Sequence, residues 1–185
     1  MRVSSLLVTA IILIFNLPAM AGTLQDENLL APLPNGFKVG SSIEKGNMSM
    51  NEFVPQGETV EDWSQMVTVQ IFHGVAGEDP DAFAGHMKKL WTNACTGGEV
   101  KKIKTTTENG YPVSIWMFTC PLNPQTRKPE NMWLKAISGK DSFYTVQYAY
   151  RRELTQDIIP PTMKYLGQVT ACDTRLADRP CPPGM

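Results

Sequence analysis

The sequence predicts an α+β fold, in which a curved, mostly antiparallel sheet of about six or seven strands carries two main helices and is stapled by disulfides. Three observations predict it. Several stretches alternate apolar and polar residues with the period of two that a half-buried strand shows. Two other stretches place apolar residues at helical spacing. The elements follow in the order strand hairpin, strand, helix, meander of about four strands, helix.

The first three strands precede the first helix. Residues 37–43 and 48–54 alternate on either side of a Lys-Gly-Asn turn, which predicts a hairpin. In the third strand, 66–72, valine and isoleucine occupy the odd positions from 67 to 71, and threonine and glutamine lie between them. Trp63 is expected to close over the start of this third strand.

A first helix of about four turns is predicted after Asp79. The Asp79 side chain suits the N-cap, Pro80 suits the first helical position, and Asp81 favours the positive end of the helix dipole. A Gly-Gly pair at 97–98 ends the helix. The predicted buried stripe consists of Phe83, Met87, Leu90, Trp91 and Ala94.

The meander follows this helix. Residues 101–107 predict an edge strand, because lysine and threonine keep edges soluble. Residues 113–120 are apolar on both faces, which is typical of a strand covered on both sides. Residues 132–137 and 143–150 alternate on either side of a Ser-Gly-Lys-Asp turn and predict a second hairpin. A last helix is expected after Ile159-Pro160.

The chain has four cysteines, Cys95, Cys120, Cys172 and Cys181. An even number in an exported chain predicts two disulfides, and three pairings are formally possible. We favour Cys95–Cys120, which would join the buried side of the helix to the apolar strand, and Cys172–Cys181. The spacings fit no zinc pattern, and a reactive thiol is the remaining functional alternative.

The N-terminal 21 residues contain one arginine, an apolar run and small residues before an expected cleavage site after Ala21. This pattern is typical of a secretory signal peptide, and the alternative is a retained membrane anchor. Residues 22–35 are expected to be a flexible lead, 36–171 a single α+β domain, and 172–185 an irregular tail clipped by a disulfide. The expected location is therefore the periplasm or the outside of the cell.

Charge and motifs argue against several classes of function. Without Arg2, 16 lysines and arginines remain against 18 aspartates and glutamates, so the chain lacks the basic excess of a nucleic-acid binder. No later segment approaches the roughly 18 apolar residues of a membrane helix. Phosphate loops, nucleophile elbows and the usual zinc and calcium motifs do not occur, so we expect no cofactor and no metal.

Two other functions remain as alternatives. A small periplasmic hydrolase would use the acidic turn 58–62 together with His73. A carrier of small apolar ligands would need a cavity behind Trp116 and Met117, between sheet and helix.

The stretch FVPQGETVEDWSQMVTVQ, the helix from Asp79 and the paired strands from Asn131 to Tyr150 resemble a group of uncharacterised exported bacterial proteins. More distantly, the order of elements resembles the PsbP/Mog1-like fold. That resemblance implies a curved antiparallel sheet with helices packed on its faces. It also implies a binding, assembly or chaperone module more often than an enzyme.

The best candidate for a partner surface is the second hairpin with the residues that follow it and one tryptophan of the acidic turn. This surface consists of Trp63, Trp133, Lys135, Tyr144, Tyr148, Tyr150, Arg151 and Arg152. Aromatic and basic side chains together are typical of contacts with high binding energy. The alternative is that the aromatic residues pack beneath a helix.

The sequence therefore predicts an exported, non-catalytic binding or accessory protein of the bacterial envelope. Envelope or secretion-system assembly and immunity to a toxin are the roles considered, with another envelope protein as the partner. The oligomeric state stays open.

Overall fold

The computed structural model describes residues 24–182, and the predicted signal peptide lies outside the described residues. The strands are β1 (Glu27–Leu30), β2 (Phe37–Lys45), β3 (Met48–Pro55), β4 (Gln65–His73), β5 (Glu99–Glu108), β6 (Tyr111–Cys120), β7 (Glu130–Ser138), β8 (Ser142–Tyr150) and β9 (Thr170–Asp173). The helices are α1 (Pro80–Ala94) and α2 (Ile159–Gln168), and a short 3-10 turn (Gln156–Ile158) precedes α2. Neither α1 nor α2 has the length and apolar character needed to span a bilayer.

Seven strands form one antiparallel sheet in the order β2-β3-β4-β8-β7-β6-β5. The predicted fold class is confirmed, as is the edge position of the lysine-rich strand, β5. The strands β1 and β9 form a separate two-stranded sheet. Helix α1 packs on one face of the large sheet, while α2 and the small sheet cover the other face.

Helix α1 begins as the sequence predicts, because the Asp79 carboxylate accepts a hydrogen bond from the backbone N–H of Asp81 at 2.9 Å. The predicted stripe is only partly correct. Phe83, Met87 and Trp91 pack against β6 and β7, but Leu90 is 52% exposed.

Both predicted disulfides are present. Cys95, at the end of α1, is bonded to Cys120 of β6, with the two Cα atoms 5.8 Å apart. Next to this bond, the Trp91 indole N–H donates to the backbone carbonyl of Thr119 at 2.9 Å. Cys172 of β9 is bonded to Cys181, which ties the tail back to the small sheet.

The predicted flexible lead is wrong for part of its length, because Glu27–Leu30 forms β1 and pairs with β9. The Glu27 carboxylate pins this strand to the β7–β8 turn. It accepts hydrogen bonds from the backbone N–H of Lys140 at 2.6 Å and of Ser142 at 3.1 Å, and from the Tyr144 hydroxyl at 2.8 Å. A carboxylate with three or more donors holds a chain segment firmly, and these donors lie more than a hundred residues away in sequence.

Candidate binding site

The predicted partner surface is largely buried, and as an aromatic surface the prediction is wrong. All of its aromatic side chains are at most 7% exposed. The residues concerned are Trp63, Trp133, Tyr144, Tyr148 and Tyr150. Four of them lie on the sheet face that α2 and the small sheet cover. The alternative, that these residues pack beneath a helix, is the correct one.

The tyrosine hydroxyls of the hairpin are satisfied inside the protein. The rings of Tyr148 and Tyr150 stack with centroids 4.9 Å apart. The Tyr150 hydroxyl shares a 2.8 Å hydrogen bond with that of Thr162 on α2, and the Tyr148 hydroxyl donates to the Gln65 side chain at 3.0 Å. Burial raises the pKa of Tyr148 and of Tyr144, and the Glu27 carboxylate raises that of Tyr144 further. These tyrosines therefore stay neutral and hold the core together.

Lys135 is fully buried and holds the end of α2. Its ammonium donates to the backbone carbonyls of Leu166 at 2.8 Å and Val169 at 2.6 Å, and it forms an ion pair with Glu108 of β5. Burial lowers the pKa of Lys135, and the Glu108 carboxylate opposes that effect. The last carbonyls of a helix need donors, and here a lysine of the sheet supplies them. Lys135 therefore has a structural role and is not part of a partner surface.

The two arginines after the hairpin remain accessible but are engaged in local contacts. The Arg151 guanidinium lies 3.9 Å from the centre of the Trp63 ring and donates to the Glu61 carbonyl at 2.9 Å. Trp63 itself packs on Val54 and Met66, as predicted for a residue that closes over the start of β4. Arg152 pairs with Asp157 at 2.7 Å. These contacts fasten the acidic turn and the segment before α2.

The residues of the predicted hydrolase do not come together. His73 ends β4, whereas the acidic turn 58–62 precedes its first residue, Gln65. A strand of nine residues is about 27 Å long. The His73 imidazole is hydrogen bonded to the Ser49 hydroxyl at 2.7 Å instead. No carboxylate of the turn is in reach of His73 as a catalytic partner.

The predicted carrier cavity also fails on geometry. Trp116 lies under α1 and donates its indole N–H to the Asp81 carboxylate at 3.0 Å. Met117 packs on the opposite face, with the core beneath α2. Successive residues of a strand point to opposite faces, so these two side chains do not line one cavity.

The structure offers a different candidate, a groove of about 540 Å³ between α2 and the segment that leads into β2. We call it the α2 groove. Phe37, Tyr148 and Tyr165 form its aromatic floor. The rings meet edge to face, with centroids 6.2 Å apart for Phe37 and Tyr148 and 5.4 Å apart for Tyr148 and Tyr165. Of the predicted partner residues, Tyr148 is thus one that contributes to the groove.

Prolines form the walls of the α2 groove: Pro32 and Pro34 on one side and Pro161 of α2 on the other. At Pro32 and Gln168 the groove continues into a second depression, of about 420 Å³, beside β1 and β9. The combined site is therefore elongated. A proline has a fixed φ, and fixed walls lower the entropic cost of binding.

The rim of the α2 groove is polar and accessible. The exposed side chains of Lys164 and Gln168 lie on the helix side, Gln65 lies at the end of the floor, and Leu33 stands 48% exposed on the opposite wall. Sequence reasoning missed this site because its walls come from three distant segments. The available signal is the Pro-Leu-Pro sequence at 32–34, which by composition alone predicts only part of a flexible lead.

No protein-family model matches the chain, and a search of curated proteins finds no significant match. Solved structures do match. The Ran-binding protein Mog1p of Saccharomyces cerevisiae is 12% identical over 77% of this chain and 85% of that one, with a TM-score of 0.42. A point mutant of Mog1 is 14% identical over 71% and 76% of the two chains, with a TM-score of 0.41.

The solution structure of the cyanobacterial PsbP protein CyanoP, from Synechocystis sp. PCC 6803, is also similar. It is 11% identical over 82% of this chain and 96% of that one, with a TM-score of 0.48. These structures are Mog1 and PsbP proteins, the group that the order of elements resembles. The likeness concerns the fold alone.

Proposed function

We propose that this protein is an exported, non-catalytic binding or accessory protein of the bacterial envelope, and that the α2 groove receives an extended segment of another envelope protein. The observation that carries the proposal is the groove itself, with an aromatic floor and proline walls. Its volume of about 540 Å³ is in the range of sites that hold ligands, roughly 300–1,000 Å³. Aromatic-lined grooves are the usual docking sites of extended, proline-rich segments.

An extended occupant fits better than a compact one. The α2 groove and the depression beside β1 meet at Pro32 and Gln168, which gives a path of two connected volumes. The aromatic floor favours proline and other apolar side chains. The Gln168 amide and the NH2 group of Gln65, whose oxygen accepts from Tyr148, line the groove as partners for a peptide backbone. Lys164 favours an acidic residue near that end of the segment.

Export is supported by the covalent chemistry of the chain. All four cysteines are in disulfides, and such bonds persist in oxidising compartments such as the periplasm. The signal-like N-terminus points the same way. Cell fractionation with thiol alkylation before lysis tests this part: a protein found in the cytosol with alkylated cysteines contradicts it.

A photo-reactive amino acid placed at Leu33 tests the groove. We expect cross-links from this position in the full-length chain, expressed in its host, to one specific envelope protein. Ile43 on β2 is the matched control, because it is apolar and 43% exposed but distant from the groove. Lys164→Glu should lower the cross-link yield about fivefold, which is the effect of roughly one unfavourable rim charge, and Lys140→Glu should not.

Two results contradict the proposal. One is the same cross-linking pattern from positions 33 and 43. The other is a specific cross-link at 33 that persists unchanged in Lys164→Glu and also in Tyr165→Ala, because the contact would then not use the groove.

A further inference from the structure

The edge strand β5 carries a concentration of positive charge that neither the core nor the α2 groove explains. Lys101, Lys102 and Lys104 lie within four consecutive residues and are all exposed. Lys88 of α1 is exposed too and stands seven residues, two helical turns, beyond Asp81, which is hydrogen bonded to β5. We call these four lysines and Ile103 the basic edge. The chain as a whole has a net charge of −1, so this charge is local.

A β-bulge places an apolar side chain at the centre of the basic edge. The register of β5 on β6 shifts between Lys102 and Lys104, and Ile103 between them has no partner opposite it. Its side chain is 41% exposed. A bulge re-aims the residue that it contains, and here it presents isoleucine outward among lysines.

The lysines stand on both sides of the strand. Lys101 and Lys104 pair with Met117 and Ile115, which face α2, whereas Lys102 pairs with Trp116, which faces α1. The basic edge is therefore an exposed ridge with positive charge along both flanks. A ridge of this kind fits a flat, negatively charged surface better than it fits a pocket on a partner.

Of the acidic groups nearest to the ridge, one neutralises a lysine of the basic edge and another pairs with a lysine of the core. The Asp81 carboxylate accepts hydrogen bonds from Lys102, Thr105 and the Trp116 indole. Glu108 pairs with the buried Lys135. Glu99, at the start of β5, is exposed and faces Thr119 across the strand pair. Lys102 is thus already paired, and Lys88, Lys101 and Lys104 remain for an external anion.

The need to keep an exposed edge strand from pairing with another chain does not explain the number of lysines on β5. The opposite edge, β2, also has a bulge, after Val39, and it has only two lysines, Lys38 and Lys45, with Glu44 beside the second. Two dispersed lysines are therefore sufficient on that edge, and β5 carries more charge around an exposed apolar tip.

We propose that the basic edge docks on an anionic phospholipid bilayer, with Lys88, Lys101 and Lys104 at the headgroup phosphates and Ile103 in the interfacial region. Lysines near an anionic bilayer bind additively and lose affinity with salt. The proposal is independent of the α2 groove, whose strand residues belong to β2, β4 and β8, whereas β5 is the edge of the sheet opposite β2. It would place the groove away from the lipid, open to a partner.

Flotation with vesicles tests the proposal, using the disulfide-bonded protein. The probes are phosphatidylcholine vesicles with and without an equal part of phosphatidylglycerol. We expect binding only to the mixed vesicles, with at least a tenfold loss between about 0.05 M and about 0.5 M salt. Lys101→Glu/Lys104→Glu should weaken binding roughly 30-fold or more, from the loss of two lysines alone.

The opposite edge supplies the controls. Lys38→Glu/Lys45→Glu makes the same change in net charge and should lower binding less than threefold. Ile103→Ser should weaken binding about threefold without a charge change, whereas Val39→Ser should not. Circular dichroism verifies that each variant is folded.

The wild-type protein alone is decisive if a variant does not fold. If the wild-type protein does not bind the mixed vesicles at low salt, the proposal is overturned, and an acidic protein would then be the partner to seek. Equal losses in the two double variants also overturn it, because net charge and not the basic edge would be responsible.

Discussion

Replacing Lys135 by methionine removes an ammonium group from the core and keeps most of the apolar stem. In the native protein that ammonium donates to the carbonyls of Leu166 and Val169, at 2.8 Å and 2.6 Å, and pairs with Glu108. The methionine variant leaves both carbonyls at the end of α2 without a donor. It also leaves the Glu108 carboxylate without its buried partner.

The expected cost follows from these three losses. A buried carbonyl without a partner costs about 1–3 kcal/mol, and breaking a buried ion pair on one side costs about 3–5 kcal/mol. Two effects reduce the sum: Glu108 is 27% exposed and is partly solvated, and the variant no longer buries an ammonium, the burial that lowers the pKa of Lys135. We expect Lys135→Met to lower the free energy of unfolding by about 3 kcal/mol.

Urea unfolding measures this change as a shift of the midpoint at constant slope. Lys101→Met is the matched control, since the same substitution at an exposed lysine should change the free energy by less than about 0.5 kcal/mol. Amide exchange should also speed up in the last turn of α2. Apolar replacements of complete buried ion pairs are often neutral or stabilising. A similar result for Lys135→Met would refute the idea that its bonds to the α2 carbonyls matter.

Three other predictions concern parts of the fold that the sequence patterns do not connect. Loss of the Cys95–Cys120 bond, which spans 25 residues, should lower the free energy of unfolding by about 3.5 kcal/mol in the chain-entropy model. Urea unfolding of the Cys95→Ala/Cys120→Ala variant measures this change, and a loss under about 1 kcal/mol would contradict that model. Glu27→Gln should cost about 1–3 kcal/mol and speed amide exchange in β1, whereas Glu44→Gln on the exposed edge should do neither. The Arg175 guanidinium lowers the pKa of Asp173 from 3.8 to about 2, so the stability that the ionised Asp173 gives the folded protein is present above pH 4 and is lost as the pH falls towards 2. Acid titration of Asp173→Asn should show a shallower loss of stability in that window, and an unchanged slope would contradict the assignment.

The parts of the fold that follow from local patterns were predictable. Alternation of apolar and polar residues predicts several strands of the large sheet, and a run that is apolar on both faces predicts β6. An aspartate before a proline predicts the start of α1 at Pro80. The favoured Cys95–Cys120 pairing came from the same reasoning, because the first cysteine shares a helix face with Trp91 and the second lies on an apolar strand. In each case the information lies within a few residues.

The parts that depend on distant partners were not predictable in the same way. Strand β1 has four residues and pairs with β9 about 140 residues later, so neither segment has a periodic pattern long enough to identify it. The α2 groove joins Pro32 and Phe37 to Tyr148 and Pro161, which belong to three separate segments of the chain. Such a site becomes visible only when the topology is known.

The aromatic residues of the second hairpin, predicted as a surface but buried in the structure, show which sequence signal decides between a core and a surface. Aromatic and basic residues occur in both settings, so composition alone does not separate them. The decisive signal is whether a strand has a polar face. Residues 132–137 of β7 read Met-Trp-Leu-Lys-Ala-Ile, with apolar residues on both faces, and all six are buried. A single lysine inside such a run has no exposed face to occupy, and it must therefore find its partners in the interior, as Lys135 does.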